Sequence, residues 1–176
     1  LSEVIERHKA HAPKCLGIAI VTASTSRYNE KVSGAIPYDI SGDKIEELMK
    51  TAGHRIEERL LLPDDSELIR SHITRMLASQ SIDVIIITGG TGLSPRDVTI
   101  ESIRDLIEKE MPGFGELFRK LSYESIGSSA MLTRALAGVA RRKAIFCLPG
   151  SPQAVEIAVT RLIMPEIQHI IGVARE

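Results

Sequence analysis

The chain has 176 residues, 22 Lys and Arg against 23 Asp and Glu, and a formal net charge of -1. That length suits one domain (1–176) with a single core, and the even charge balance argues against a nucleic-acid backbone as partner. Aromatic residues make up 3% and Trp is absent, which removes the stacking platforms used for single strands and leaves Ile, Leu, Val, Ala and Met to build the core.

Residues 1–11 read as a short helix ended by Pro13, so that 1–12 form an N-terminal helical extension. His8 and His11 stand three apart on it, a spacing that without further ligands reads as a solvated face. The opening "LSEVIERHKAHAPK" lacks the apolar centre of a secretory signal. No later apolar run reads as long enough to cross a bilayer, so no membrane is expected as partner. "CLGIAIVT" (15–22) is a continuous β-branched run, the pattern of a strand buried on both faces. "ASTSRYNEKVSGAIPYD" is polar with Gly and Pro and reads as a loop. "SGDKIEELMKTAGH" places Ile45, Leu48, Met49 and Ala52 at helical spacing, with Gly53 as the stop. "RIEERLLL" (55–62) predicts a strand near a sheet edge, and "DDSELIRSHITRMLASQ" an amphipathic helix.

"IDVIIIT" (82–88) is the most apolar strand, and "VTIESIRDLIEKE" predicts the next helix. "GFGELFRKLSYESIGSSAMLTRALAG" predicts two helical pieces broken near Gly127. Arg141, Arg142 and Lys143 read as a solvated turn before the strand "KAIFCLP" (143–149). Two closing helices follow, with a break at Pro165. Cys15 and Cys147 sit in apolar runs with no CxxC. They read as small buried hydrophobes, and a reducing cytoplasm is the expected compartment.

Strands and helices in alternation predict an α/β fold, a parallel sheet with helices on both faces. Ligands on such sheets bind outside the carboxyl ends of the strands. The unusual residues fall there: "TASTSR", "LPDDSE", "TGGTGLSPRD" and "LPGSPQ". Gly89, Gly90 and Gly92 allow close backbone approach to an anion, yet the loop is neither GxxxxGK[ST] nor GxGxxG. Ser151 and Pro152 suit a helix start whose free N–H groups could also meet a phosphate. Asp64, with Glu67 three residues on, resembles a capping box, and Asp97 or Thr99 could cap the following helix. The alternative is that Asp64 and Asp97 hold Mg²⁺ beside a polyphosphate, and the two roles are compatible. Glu116, Arg119, Ser122, Tyr123 and Arg134 are the polar residues of the helical stretch that follows. No GxSxG or Cys/His signature supports covalent hydrolase chemistry.

"TGGTGLSPRDVT", "EMPGFGELFRKLSYESIG", "RALAGV" and "FCLPGSPQAV" come in an order that resembles the molybdopterin-binding proteins of molybdenum cofactor biosynthesis, the MoaB/MogA group. The resemblance runs from the first strand to near the end. It implies a three-layer α/β/α sandwich with a mostly parallel sheet. It also implies an enzyme that moves AMP from Mg-ATP to the terminal phosphate of molybdopterin, with ATP as co-substrate and pyrophosphate as leaving product. On this resemblance Asp64 and Asp97 are the catalytic, Mg²⁺-holding aspartates. Gly89, Gly90, Thr91, Gly92, Glu116, Ser122, Arg134, Pro149, Gly150, Ser151 and Pro152 match the molybdopterin side. Thr22, Ala23, Ser24, Thr25 and Ser26 match the nucleotide loop. A homo-oligomer is implied as well, a trimer or a hexamer made of two trimers.

The first loop departs from the family's pattern, because active members carry a Ser-Asp pair there and "TASTSR" has no Asp. A molybdopterin-binding protein that has lost AMP transfer is therefore the alternative. Inactive members lack the PD and RD aspartates, and this chain keeps both. A more distant nucleotide-dependent enzyme sharing only the fold would have no need of the GFGE and LPGSP blocks.

Overall fold

The computed structural model describes residues 13–176, so the expected N-terminal helix and the His8/His11 pair lie outside the described residues. Six strands form one sheet: β1 (Gly17–Ala23), β2 (Arg55–Leu62), β3 (Val84–Thr88), β4 (Lys109–Glu110), β5 (Leu136–Ala140) and β6 (Lys143–Leu148). Their order is β2-β1-β3-β6-β5-β4. The first four are parallel neighbours, β5 runs antiparallel to β6, and β4 antiparallel to β5. The sheet is thus mostly parallel, with β2 at the edge as its early polar positions predict.

Every residue of β1, β3 and β6 is buried. Successive side chains point to opposite faces, so these strands feed two cores at once. Ile18, Ile20, Val84, Ile86, Phe146 and Leu148 join one core, whereas Ala19, Val21, Ile85, Ile87, Ile145 and Cys147 join the other. The first core is closed by α2 (Ile40–Thr51), α5 (Pro112–Ile126) and the C-terminal helices, through Ile45, Met49, Phe118 and Val155. The second is closed by α3 (Ser66–Ala78) and α4 (Thr99–Ile103), through Ile69, Ile73, Met76, Ile100 and Ile103. These are the three layers of an α/β/α sandwich. Cys15 is half-buried, Cys147 is buried, and both are free thiols.

The structure departs from the sequence expectations at six points. The stretch read as a loop after β1 contains α1 (Thr25–Val32), which has no buried residue and hence no apolar stripe to announce it. The helix expected over 98–110 stops early. A 3₁₀ turn (Arg104–Leu106) and β4 follow, because Lys109 and Glu110 find partners in Val139 and Gly138. Gly138 makes that pairing feasible, since a Cβ there would lie 2.3 Å from Ile107 Cγ2. "LAG" (136–138), read as the end of a helical piece, belongs to β5, with Ala137 in one core and Leu136 in the other.

Lys143 is not part of a solvated turn. It is buried and donates to the Ser79 and Ile82 carbonyls, while Arg141 and Arg142 alone make the exposed turn. The helix also does not break at Pro165. α6 (Pro152–Ala158) passes through a π-turn (Val159–Ile163) into α7 (Met164–Ala174). Proline lacks an N–H and clashes with the carbonyl four residues back. The widened turn just ahead of Pro165 is where the helix absorbs both defects. The 23-residue helix that results is long and apolar enough to cross a membrane, contrary to the sequence expectation. Here it lies on the sheet, with Val155, Ala158, Val159, Ile163, Ile167 and Ile171 in the core.

Candidate functional site

The strand order places a topological switch point between β1 and β3, where ligands of open α/β sheets bind. The loops after β1, β2, β3 and β6 meet there around a cleft of about 480 Å³. Because β5 is reversed, its approach (Thr133 and Arg134) reaches the same rim. A slightly larger groove of about 500 Å³ lies beside β4 and α7. Its lining is mostly apolar and none of these loops reaches it, so the smaller cleft is the candidate site.

Glycines let the loops close on one another. Gly89 has φ of 92°, and a Cβ there would sit 2.3 Å from the Ala23 carbonyl oxygen. A Cβ on Gly150 would stand 3.2 Å from Gly89 Cα. Gly90 has φ of 61°, and its Cβ would fall 2.8 Å from Asp64 Oδ1. A Cβ on Gly92 would fall 2.8 Å from Asp97 Oδ2. The glycine loop therefore lies directly against both carboxylates, one from the β2 loop and one at its own end. Hydrogen bonds fix this packing. Thr99 donates its hydroxyl to the Gly89 carbonyl (2.9 Å) and its N–H to that of Gly90 (2.9 Å). Thr88 Oγ1 donates to the Pro149 carbonyl (2.9 Å), and Ser41 Oγ to that of Gly150 (2.7 Å).

The two aspartates do not cap the helices that follow them. Asp65 takes that role for α3, accepting from Leu68 N at 2.9 Å. Asp64 turns back toward α1, where its Oδ2 accepts from Thr25 N (2.9 Å) and Thr25 Oγ1 (2.8 Å). Asp97 Oδ2 accepts from Ser94 N (3.0 Å), pinning the Ser-Pro-Arg-Asp turn, and α4 has no side-chain cap from Asp97 or Thr99. Each carboxylate thus has Oδ2 committed to the protein and Oδ1 without a hydrogen bond from any described residue.

The residues predicted from the sequence divide. Ala23, Ser24, Asp64, Gly89, Gly90, Thr91, Gly92, Asp97, Arg134, Pro149 and Gly150 line the cleft. Thr25 reaches it through Asp64. Thr22 points inward to Asp39 (2.7 Å), and Ser26 is exposed outside the lining. Ser151 caps α6 through Ala154 N, with Pro152 in its first turn. Ser122 bonds the Phe118 carbonyl one turn back. Ser122 and Ser151 line an adjoining pocket of about 420 Å³ that shares Thr133 and Pro149 with the cleft. Glu116 is exposed on α5 and lines neither. Sequence reasoning missed Arg27, Ser129, Leu132 and Thr133. Arg27 was legible only if α1 was, because its first turn carries that side chain back over the loop.

The cleft's two cations differ. Arg134 donates to the Gly92 carbonyl (2.9 Å) and is paired with Glu101. Burial works to raise the Glu101 carboxyl, but the Arg134 guanidinium, together with a backbone hydrogen bond and the Arg104 charge, holds the group below its ordinary value. Arg27 Nε donates to the Tyr38 carbonyl (3.1 Å), and no described carboxylate pairs with it.

Backbone N–H groups of the glycine loop and two guanidiniums suit an anion, and the two carboxylates suit a cation beside it. Among the described residues no cluster of three or more His, Cys, Asp or Glu could enclose a metal. Two carboxylates with open oxygens nevertheless fit Mg²⁺, which is held by one or two carboxylates together with substrate phosphates and water.

The family model described as a probable molybdopterin binding domain matches residues 19–169. The chain belongs to this family. Within it, molybdenum cofactor biosynthesis protein B of Bacillus cereus is 44% identical over 167 residues, 94% of this chain and 95% of that one. A probable molybdopterin adenylyltransferase of Methanocaldococcus jannaschii is 40% identical, over 93% of this chain and 96% of its own. The crystal structure of the tungsten cofactor synthesizing protein MoaB from Pyrococcus furiosus superposes with a TM-score of 0.83 at 37% identity, covering 94% of this chain and all of that one. The matched residues include every loop of the cleft.

Proposed function

We propose that this protein acts in molybdenum cofactor biosynthesis, transferring AMP from Mg-ATP to the terminal phosphate of molybdopterin and releasing pyrophosphate. One observation carries the reading: the glycine loop packs directly against both Asp64 and Asp97. An acceptor phosphate on that loop is within reach of two carboxylates whose Oδ1 atoms accept from no donor among the described residues. The name of the Methanocaldococcus relative supports the same reaction, and that of the Bacillus relative the same biosynthesis.

The reaction needs little from side-chain acid–base chemistry. The acceptor is a phosphate oxygen already ionised at neutral pH. It forms a bond to the α-phosphorus of ATP, the bond to the bridging oxygen breaks, and that electron pair leaves with pyrophosphate. No proton has to move, so catalysis is positioning and charge neutralisation. Gly89, Gly90, Thr91, Gly92 and Gly150 hold the acceptor phosphate, and the adjoining pocket with Ser122 and Ser151 takes the pterin body. Asp64 and Asp97 hold Mg²⁺, which when bound neutralises triphosphate charge. Ala23 and Ser24 border the nucleotide.

A binding protein that has lost transfer is favoured by one feature, Ser24 in a first loop without an aspartate. Retention of both carboxylates on the glycine loop weighs against it. Exposed apolar side chains at Leu117, Tyr123, Ile126 and Met131 on α5 and the 3₁₀ turn after it support a homo-oligomer, a trimer or two stacked trimers. The test is incubation with molybdopterin, Mg²⁺ and α-labelled ATP. Labelled adenylylated molybdopterin and pyrophosphate in equal amounts are expected. Tight molybdopterin binding without product would leave only the binding role.

A further inference from the structure

Arg27 lines the cleft and has no role in the transfer step described above. It stands in the first turn of α1 and is half-buried in the lining. Its Nε is tethered to the Tyr38 carbonyl at 3.1 Å, and no other hydrogen bond or ion pair ties it to a described residue. A guanidinium held by Nε presents Nη1 and Nη2 as a fixed fork, which matches two phosphate oxygens. Arg134 is occupied by Glu101 and the Gly92 carbonyl, so Arg27 is the cleft's uncommitted positive charge.

Its position also selects a ligand. The glycine loop and Pro149–Gly150 follow β3 and β6, on one side of the switch point, whereas Arg27 and Asp64 follow β1 and β2, on the other. If the acceptor phosphate rests on the glycine side, the donor triphosphate must approach from the side of Arg27.

We propose that Arg27 grips the β- and γ-phosphates of the nucleotide and stabilises the pyrophosphate as it leaves. The step is the one given above. Electrons of the breaking bond from the α-phosphorus to the bridging oxygen pass to pyrophosphate, and the fork meets that growing charge with two N–H donors. Arg27 thereby makes the site select triphosphates over monophosphates. This inference rests on the nucleotide-transfer reading, and its test separates the two.

Mg-ATP, Mg-pyrophosphate, AMP and molybdopterin would each be titrated calorimetrically into wild type, Arg27→Met and Arg27→Lys, with melting curves as a fold control. Arg27→Met should weaken Mg-ATP and Mg-pyrophosphate about tenfold or more and leave AMP and molybdopterin binding unchanged. Its turnover should drop about a hundredfold. Arg27→Lys keeps the charge, loses the tethered fork, and should recover part of the triphosphate affinity. Equal weakening of AMP and ATP would make Arg27 a mere holder of α1, and loss of molybdopterin affinity would place it on the acceptor side. Either result overturns the proposal, as does wild-type ATP affinity in Arg27→Met. A wild type that binds Mg-ATP without making product would sink the transfer reading, and the ratio of ATP to AMP affinity would still judge Arg27.

Discussion

Thr25 and Asp64 hold each other by three hydrogen bonds. The Thr25 hydroxyl donates to the carboxylate and accepts from Asp64 N at 2.9 Å, and the Thr25 N–H donates to the same carboxylate oxygen. Oδ1 is left aimed at the glycine loop. Thr25→Val keeps the branched shape and removes the hydroxyl. Hydrogen bonds to charged groups are worth about 1.5–3 kcal/mol, so turnover should fall roughly tenfold or more, with Thr25→Ser restoring it. Equal melting temperatures across the three proteins would assign that loss to the aim of Asp64. A variant that melts early and keeps its turnover would make the clamp structural only. Gly90→Ala tests the same contact from the other side, because the new methyl would lie 2.4 Å from Thr99 Oγ1 and 2.8 Å from Asp64 Oδ1. Loss of turnover exceeding loss of stability is expected there.

Between β5 and β6 the register leaves a turn of two residues, Arg141 and Arg142, with φ of 47° and 63°. Such turns require left-handed residues and are normally Asn-Gly. Replacing the pair by Asn-Gly should stabilise the protein by about 1–2 kcal/mol, read as a higher melting temperature without change in turnover. That turn also shows what was legible in the sequence. The buried strands and the helices with an apolar stripe were, because burial on both faces or on one leaves a period in the chain. β5 was not, because "LAGVA" is short and small and becomes a strand only by pairing with β6 and β4. α1 was not either, because it buries nothing and is held from outside by Ser24 N to the Leu62 carbonyl, by Asp64 and by Tyr38. The site followed the same rule. Glycines and carboxylates at strand ends could be found in order along the chain. That Asp65, and not Asp64, caps α3 depends on where the loop turns, which the spacing alone does not encode.

Across the whole molecule, the candidate site and a cluster of charged and polar side chains occupy opposite ends of the sheet. The carboxyl ends carry the cleft, while the amino ends close over His54, Asp83, Lys143 and Arg175. Asp83 Oδ2 accepts from Gly17 N (2.7 Å), its Oδ1 pairs with Arg175, and His54 Nδ1 accepts from Leu16 N (3.3 Å). Burial, opposed by the nearby Asp83 charge, holds His54 below its ordinary 6.5, so the folded protein takes up that proton less readily than the unfolded chain. The contribution is fully present above about 6.5 and is lost as pH falls through the lower folded value. Denaturant unfolding from pH 7 to pH 5 should therefore show wild type losing more stability than His54→Gln, which keeps an acceptor and no longer titrates. Equal losses would remove His54 as a source of acid sensitivity.

On the proposed function, the glycine loop and its two flanking carboxylates form one phosphate-transfer site. The most direct measurement is the single-turnover rate of adenylylated molybdopterin formation in wild type, Asp64→Asn and Asp97→Asn, with melting followed in parallel. Asparagine keeps an acceptor for Thr25 or Ser94 and removes the charge. Both variants should melt like wild type and lose turnover by about two orders of magnitude or more. Wild-type turnover in either variant would contradict this assignment, leaving that aspartate as a fastener of its loop.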